Sequence, residues 1–298
     1  MSIERTVENV YTRASAKELT KKYFWKLLGM LAIVLGITYA IAFGGTALLA
    51  LGGNETVFAI GYIVLMVVMV LVASGLSMGL YAAMIDLCRG NEDVTVGRVF
   101  SRMGKCLKAF GLSLWVGLKT FLWMLPGYAV MLAAPFVMLG SMDTTTGAIP
   151  ESAAGTMALL MFGGMLLMFI LGIPAGYRYM LSTYILADNP DTGVFESVRQ
   201  SKAMMKGHKW QAFKLVLPII LIMYVIVLVL SVAMGAVMAL LANTPAAMTI
   251  LSIVLMVVII AAMLYYMIRM YLCYTLFYLK RVEEQNPAQE AVEAPYAE

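Results

Sequence analysis

Six long apolar runs dominate this chain, at 27–51, 57–86, 109–140, 156–187, 213–242 and 247–279. Each exceeds the roughly 20 residues that a helix needs to cross a hydrocarbon core. No water reaches backbone groups there, so every N–H and C=O must be satisfied inside its own segment, and each run is restricted to helix. The alternation expected of membrane barrel strands is absent. Composition agrees: 62% of the 298 residues are hydrophobic and 13% charged, against about a quarter charged in soluble domains. The expected fold is all-α, a polytopic six-helix transmembrane bundle forming one domain over 1–281. The remainder, VEEQNPAQEAVEAPYAE at 282–298, is acidic and proline-bearing with no apolar period, which predicts a disordered tail.

Charge orients the bundle. Arg5, Arg13, Lys17, Lys21, Lys22 and Lys26 precede the first span. Arg89, Arg98, Arg102, Lys105 and Lys108 lie between spans two and three, and Arg199, Lys202, Lys206 and Lys209 between four and five. Lys280 and Arg281 follow span six, whereas the alternate loops, GGNET, SMDTTTGAIPES and NTPA, carry no Lys or Arg. The positive-inside bias then puts both termini in the cytoplasm of a bacterial inner membrane. Cys88, Cys106 and Cys273 all fall on the basic side, a reducing compartment, with no spacing that suggests a disulfide or zinc site. A polar region of about 26 residues ahead of span one argues against a cleaved signal peptide.

The three basic segments have structure of their own. Val96, Val99, Phe100, Met103, Leu107 and Phe110 recur at helical spacing opposite Arg98, Arg102 and Lys105. An apolar stripe with a basic face is the pattern of a helix lying in the membrane interface. VFESVRQSKAMMKGHKW after DNPDTG repeats it, with Thr192 as the expected cap, and Ser15 with Glu18 makes a capping box expected to open a helix near the N-terminus. Lys17-x-x-x-Lys21-x-x-x-Trp25 and Lys202-x-x-x-Lys206-x-x-x-Trp210 share one frame. Three amphipathic interfacial helices, each followed by a two-span hairpin, form a threefold repeat over about 13–86, 94–187 and 192–279. All three copies would have one orientation, unlike inverted transporter repeats. Gly75-x-x-x-Gly79 and Gly172-x-x-x-Gly176 are expected packing contacts.

Two sets of residues are candidates for function. Lys17, Lys21, Trp25, Lys202, Lys206 and Trp210 read as interfacial anchors, cations meeting anionic headgroups and indoles at headgroup level. Lys119, Arg178 and Arg269 lie inside spans, each roughly 15 Å from its basic boundary at 1.5 Å per residue. A lysine or arginine at the bilayer centre costs at least ~2.5–3.5 kcal/mol, and no carboxylate lies at that depth. Two readings stand: a cationic pocket for a lipid phosphate or other anion, and long side chains snorkelling to headgroups. Pro126, Pro135, Pro174 and Pro218 interrupt the later spans. Met157, Met161, Met165 and Met168 share a face that packing explains better than copper.

Enzyme signatures are missing. His208 is the single histidine, in a basic loop. It supports neither a zinc motif nor a serine–histidine pair within the membrane, and no deep carboxylate pair or glycine-rich phosphate loop exists. No catalytic residue, cofactor or metal is expected, nor a nucleic-acid partner. The partners are membrane lipids, above all anionic inner-leaflet lipids, with a membrane or cytoplasmic protein as a further option.

Asp188-Asn189-Pro190, Ser201-Lys202, Met205-Lys206-Gly207 and Trp210, with the AKELTKKYFW frame upstream, resemble the bacterial membrane family called domain of unknown function nine-seven-five. That family is akin to the membrane domain of some glycerophosphodiester phosphodiesterases. The similarity spans 13–281, with His208 where the family's usual residue is asparagine. It implies a six-span bacterial membrane protein and no particular reaction. Glu196…Lys209-Trp-Gln-Ala-Phe-Lys-Leu-Val-Leu-Pro218 is also similar to the coupling helix of importer permeases, though its spacing is about three residues too long. The expected role is non-enzymatic: binding or moving an anionic amphiphile, or organising partners at the inner leaflet. The alternative is a permease subunit energised by a separate ATPase.

Overall fold

A computed structural model describes residues 2–52, 55–142, 150–240 and 244–285. Parts of the three lysine-free loops and the tail from 286 onward therefore lie outside the described residues. Everything regular among the described residues is helical: α1 (Ser2–Ala50), α2 (Glu55–Cys88), a 3₁₀ segment (Val96–Lys105), α3 (Cys106–Ser141), α4 (Glu151–Tyr179), α5 (Ser182–Asp188), α6 (Val194–Met204), α7 (Lys209–Leu240) and α8 (Pro245–Gln285). Six helical stretches are long and apolar enough to cross a membrane. Sequence neighbours pair as hairpins, α1 with α2, α3 with α4 and α7 with α8, and further contacts of α2 with α3, α4 with α7 and α8 with α1 close a ring. Because the number of spans is even, the start of α1 and the end of α8 lie at one end of the bundle, the one that carries the basic segments.

The approaches to the three hairpins take three forms, and the structure does not reproduce them as copies of one unit. Only α6 is a separate α-helix. The expected capping box at Ser15 and Glu18 opens nothing, because Ser15 lies in the interior of α1. The reason is a buried stripe that runs straight through it: Asn9, Ala16, Thr20, Tyr23, Leu27, Met30 and Val34 recur every three, four or seven residues. With no proline or glycine before Gly29, nothing stops the helix, and its 49 residues extend roughly 74 Å. The second approach winds as a 3₁₀ helix before α3 begins. The third is preceded by Gly193 in extended conformation rather than by a Thr192 cap.

Glycine contacts explain how closely the helices approach. A Cβ on Gly79 would run into the Val99 carbonyl oxygen, and one on Gly75 would stand 2.9 Å from the Cys106 Cβ. The first glycine pair is thus a packing face, as expected, and its partner is the 3₁₀ segment and the start of α3. Of the second pair, only Gly172 is in close contact, with Met124; Gly176 faces open space. The α3–α4 hairpin instead closes at Gly127 and Gly164, each of whose Cβ positions would be 2.8 Å from the other's carbonyl oxygen. The expected proline interruptions do not break α3, α4 or α7. The fourth span breaks after Tyr179, at Met180–Leu181, and resumes as α5.

The core lies at the basic end. Leu27, Met30, Leu76, Met84, Leu186 and Leu215 are fully buried there, while the most apolar window of each span is at most 22% buried. Apolar side chains left outside such a bundle are what a hydrocarbon solvent accommodates.

Candidate functional site

Many of the basic residues are held by acids and carbonyls of the chain itself. Arg89 follows α2, and its two terminal nitrogens each donate to Asp188 at the end of α5, at 2.7 Å. This bond, with the aspartate's charge behind it, raises the affinity of the guanidinium for its proton. Tyr278 of α8 donates to the same carboxylate at 3.0 Å. Beneath it Tyr184 packs against Tyr81 and Tyr278, with ring centroids 4.8 and 5.8 Å away. One aspartate therefore joins three elements from three hairpins. Nothing in local spacing announces such a knot; the available signal is an arginine and an aspartate placed just past the same end of two spans.

The turn after Asp188 is fastened in the same way. Lys108 donates to the Pro190 carbonyl at 3.0 Å and Lys105 to Asp191 at 3.2 Å, and the Asp191 N–H bonds the Asn189 side chain at 3.4 Å. Arg98 pairs with Asp86 at 2.9 Å. Lys22 pairs with Glu92, whose backbone carbonyl accepts from Lys26 at 2.8 Å. Arg281 is 4% exposed and bonds Glu8 at 2.7 Å and Glu284 at 2.6 Å. His208 bonds Gln211 at 3.1 Å, and the Gln211 carbonyl accepts from Asn9 at 3.2 Å, so the polar start of α1 is tied to the start of α7.

The six expected anchors lie at the surface. Lys17, Lys21, Lys202 and Lys206 are exposed, and Trp25 and Trp210 are 80% and 64% exposed. The two frames differ in conformation. The first lies within continuous helix, whereas the second crosses the turn between α6 and α7, where Gly207 has φ of 82°. A left-handed residue there suits glycine and ends α6.

The three intramembrane cations are divided between two places. Lys119 sits over the Trp115 ring at 4.9 Å and the Tyr179 ring at 5.8 Å. Arg178 sits 6.0 Å from the Trp123 ring, and its own carbonyl accepts from Ser201 of α6 at 3.2 Å. The break at Met180 puts Arg178 in the last turn of α4, where the helix dipole favours a cation. Both residues are half-buried on the α3–α4 hairpin, held by aromatic faces, and neither has an acidic partner among the described residues. Arg269 lies on α8, which packs chiefly on α1, α2 and α7, and its Nε is buried with no hydrogen-bond partner among the described residues. On α4, Met168 packs against the Gly127 position while Met161 and Met165 are exposed, so the methionine face does not converge on a single point.

Neither the curated proteins nor the solved structures yielded a match. A family model does match, over residues 9–242, from the first turns of α1 to the end of the fifth span. It takes in Arg89, Lys119, Arg178 and Asp188 and stops short of α8. The chain belongs to the family described as "Protein of unknown function (DUF975)".

Proposed function

We propose that the protein is a multi-pass protein of a bacterial inner membrane, with cytoplasmic termini, that binds anionic lipid through Lys119 and Arg178. The observation that carries this reading is the pairing of those two cations with Trp115, Tyr179 and Trp123 on one hairpin with no carboxylate beside them. Cation–π contact is worth about 0.5–2 kcal/mol and leaves the N–H groups free to donate to a phosphate. At the basic end acids hold Arg89, Arg98, Lys105 and Arg281, whereas Lys119 and Arg178 have no acidic partner among the described residues. The proposed role is binding, with two cations and their aromatic neighbours as the groups that meet the headgroup.

The test uses the full chain in nanodiscs holding equal phosphatidylglycerol and phosphatidylethanolamine, with the lipids that stay bound on transfer to detergent read by mass spectrometry. Wild type should retain phosphatidylglycerol in preference. A Lys119→Ala/Arg178→Ala variant should retain both lipids equally, and Arg269→Gln should behave as wild type. Preferential retention by the Lys119/Arg178 variant would sink the proposal and leave snorkelling as the role of both residues.

A further inference from the structure

We infer that the face of α3 turned towards α2 forms a second, distinct site for an uncharged amphiphile whose headgroup bears hydroxyl or ester oxygens. Two cavities there share Val70 and Ser113 on their common wall. The first, about 360 Å³, is lined by Ser74, Ser77, Ser113 and Thr183 together with the Tyr81 side chain and apolar neighbours. The second, about 350 Å³, is lined by Phe110, Leu114, Gly117, Leu118 and Phe121 besides the shared residues. Each falls within the ~300–1,000 Å³ of ligand clefts.

Their order along the helices is that of an amphiphile. Along α2 the hydroxyl cavity runs from Tyr81 to Met69, seven to nineteen residues from the basic end, or roughly 10–29 Å inside it. The apolar cavity shares Val70 with it and follows α3 past Ser113 to Phe121, eight residues or roughly 12 Å further on. A polar head nearer the surface and a chain running inward fit this pair in one direction only.

Chemistry selects the head. Neither cavity has a charged residue in its lining, and enclosing an ion without a counter-charge costs several kcal/mol. Ser74 and Ser113 already donate to the carbonyls of Val70 and Ala109, at 2.7 and 3.0 Å, so their oxygens can accept. The hydroxyls of Ser77 and Thr183 have no hydrogen-bond partner among the described residues and can donate. An alcohol or ester uses both kinds of group.

The site is separate from the cation cluster. At about 100° per residue, Trp115, Lys119 and Trp123 occupy one side of α3, and Phe110, Ser113, Gly117 and Phe121 roughly the opposite side. A Cβ on Gly117 would meet nothing within 4 Å, so a larger side chain there would fill the apolar cavity without a clash at its root.

The experiment titrates the full-length protein in detergent with 1-oleoylglycerol and, separately, 1-oleoylglycerol 3-phosphate, with binding read by native mass spectrometry. In the Lys119→Ala/Arg178→Ala background, which removes the cation cluster, the uncharged probe should bind at least about tenfold more tightly than the phosphate. Ser77→Ala/Thr183→Val should weaken that binding about tenfold through two lost hydrogen bonds. Gly117→Leu should abolish it at an unchanged melting temperature, while Lys119→Ala/Arg178→Ala should bind the uncharged probe as wild type does. Equal affinity for the two probes in the Lys119→Ala/Arg178→Ala background overturns the inference. So does unchanged binding by either cavity variant, and binding lost only in the Lys119/Arg178 variant assigns the amphiphile to the cation cluster instead.

Discussion

Arg89 and Asp188 stand 99 residues apart in the chain and meet through two parallel hydrogen bonds of 2.7 Å, the fork of one matching the carboxylate of the other. The pair joins the end of the second span to the end of the fourth, and Tyr278 brings in the sixth. Arg89 is about half exposed and Asp188 mostly buried, so losing the arginine costs more than losing an ordinary surface pair. Arg89→Ala should lower stability by about 1–2 kcal/mol, read as a fall in melting temperature in detergent. Asp188→Asn should cost a similar amount, and the two together less than the sum, since they remove one shared interaction. Additive losses would mean that the two residues act independently.

Glycine positions give a sharper contrast. Gly79→Ala drives a methyl into the Val99 carbonyl and should cost about 2–3 kcal/mol or prevent folding. Gly176→Ala, in the span that carries the matching glycine pair, should change melting little, because nothing lies within 4 Å of its Cβ. Similar melting temperatures for the two variants would contradict the close approach at Gly79.

Gly207 tests the turn between α6 and α7. With φ of 82°, Gly207→Ala should destabilise by about 1 kcal/mol, and Gly207→Asn by less, since asparagine tolerates the left-handed region better. Equal melting temperatures for the alanine and asparagine variants would show that backbone conformation does not decide this position.

Glu92 supplies a pH dependence. The hydrogen bond from Lys22, followed by the lysine's charge, holds its carboxyl below the usual range. A depressed acid stabilises the fold above its unfolded pKa of about 4.3 and loses that contribution as pH falls through the lower folded value. Glu92→Gln should therefore melt below wild type at pH 6 and closer to it at pH 3. A gap of the same size at both pH values would contradict the pairing.

How much of this was legible in the residues follows from physical range. The spans are visible because hydrocarbon demands apolar length, and α2 and α7 begin or end within a few residues of their expected limits. The continuous α1 was hidden because a capping box is a local signal, whereas the stripe from Asn9 to Val34 is set by packing against distant helices. Lys105, Lys108 and Arg281 served only to orient the bundle, because charge alone does not reveal a partner across the fold. Lys119 and Arg178 could be named from depth and charge; their aromatic neighbours could not, since Tyr179 and Lys119 meet only once α3 and α4 are packed. The hydroxyl cavity gave no local signal either, as single serines in membrane helices normally bond their own backbone.

The inter-hairpin ties at Asp188 and Gly79 lie in the basic half of the bundle, while Gly45 against Leu65 and Gly127 against Gly164 join helices of the same hairpin further out. Mechanically this is a clamp with three stiff legs. Its base resists deformation, whereas the flare of the legs has few contacts to oppose it. Mismatch with bilayer thickness carries only a fraction of a kcal/mol per ångström, and an element so weakly restrained is where such a small energy becomes visible as movement. Spin labels at the far ends of two hairpins should therefore draw apart in short-chain lipid and close in long-chain lipid, while a pair placed beside Arg89 and Asp188 keeps its distance.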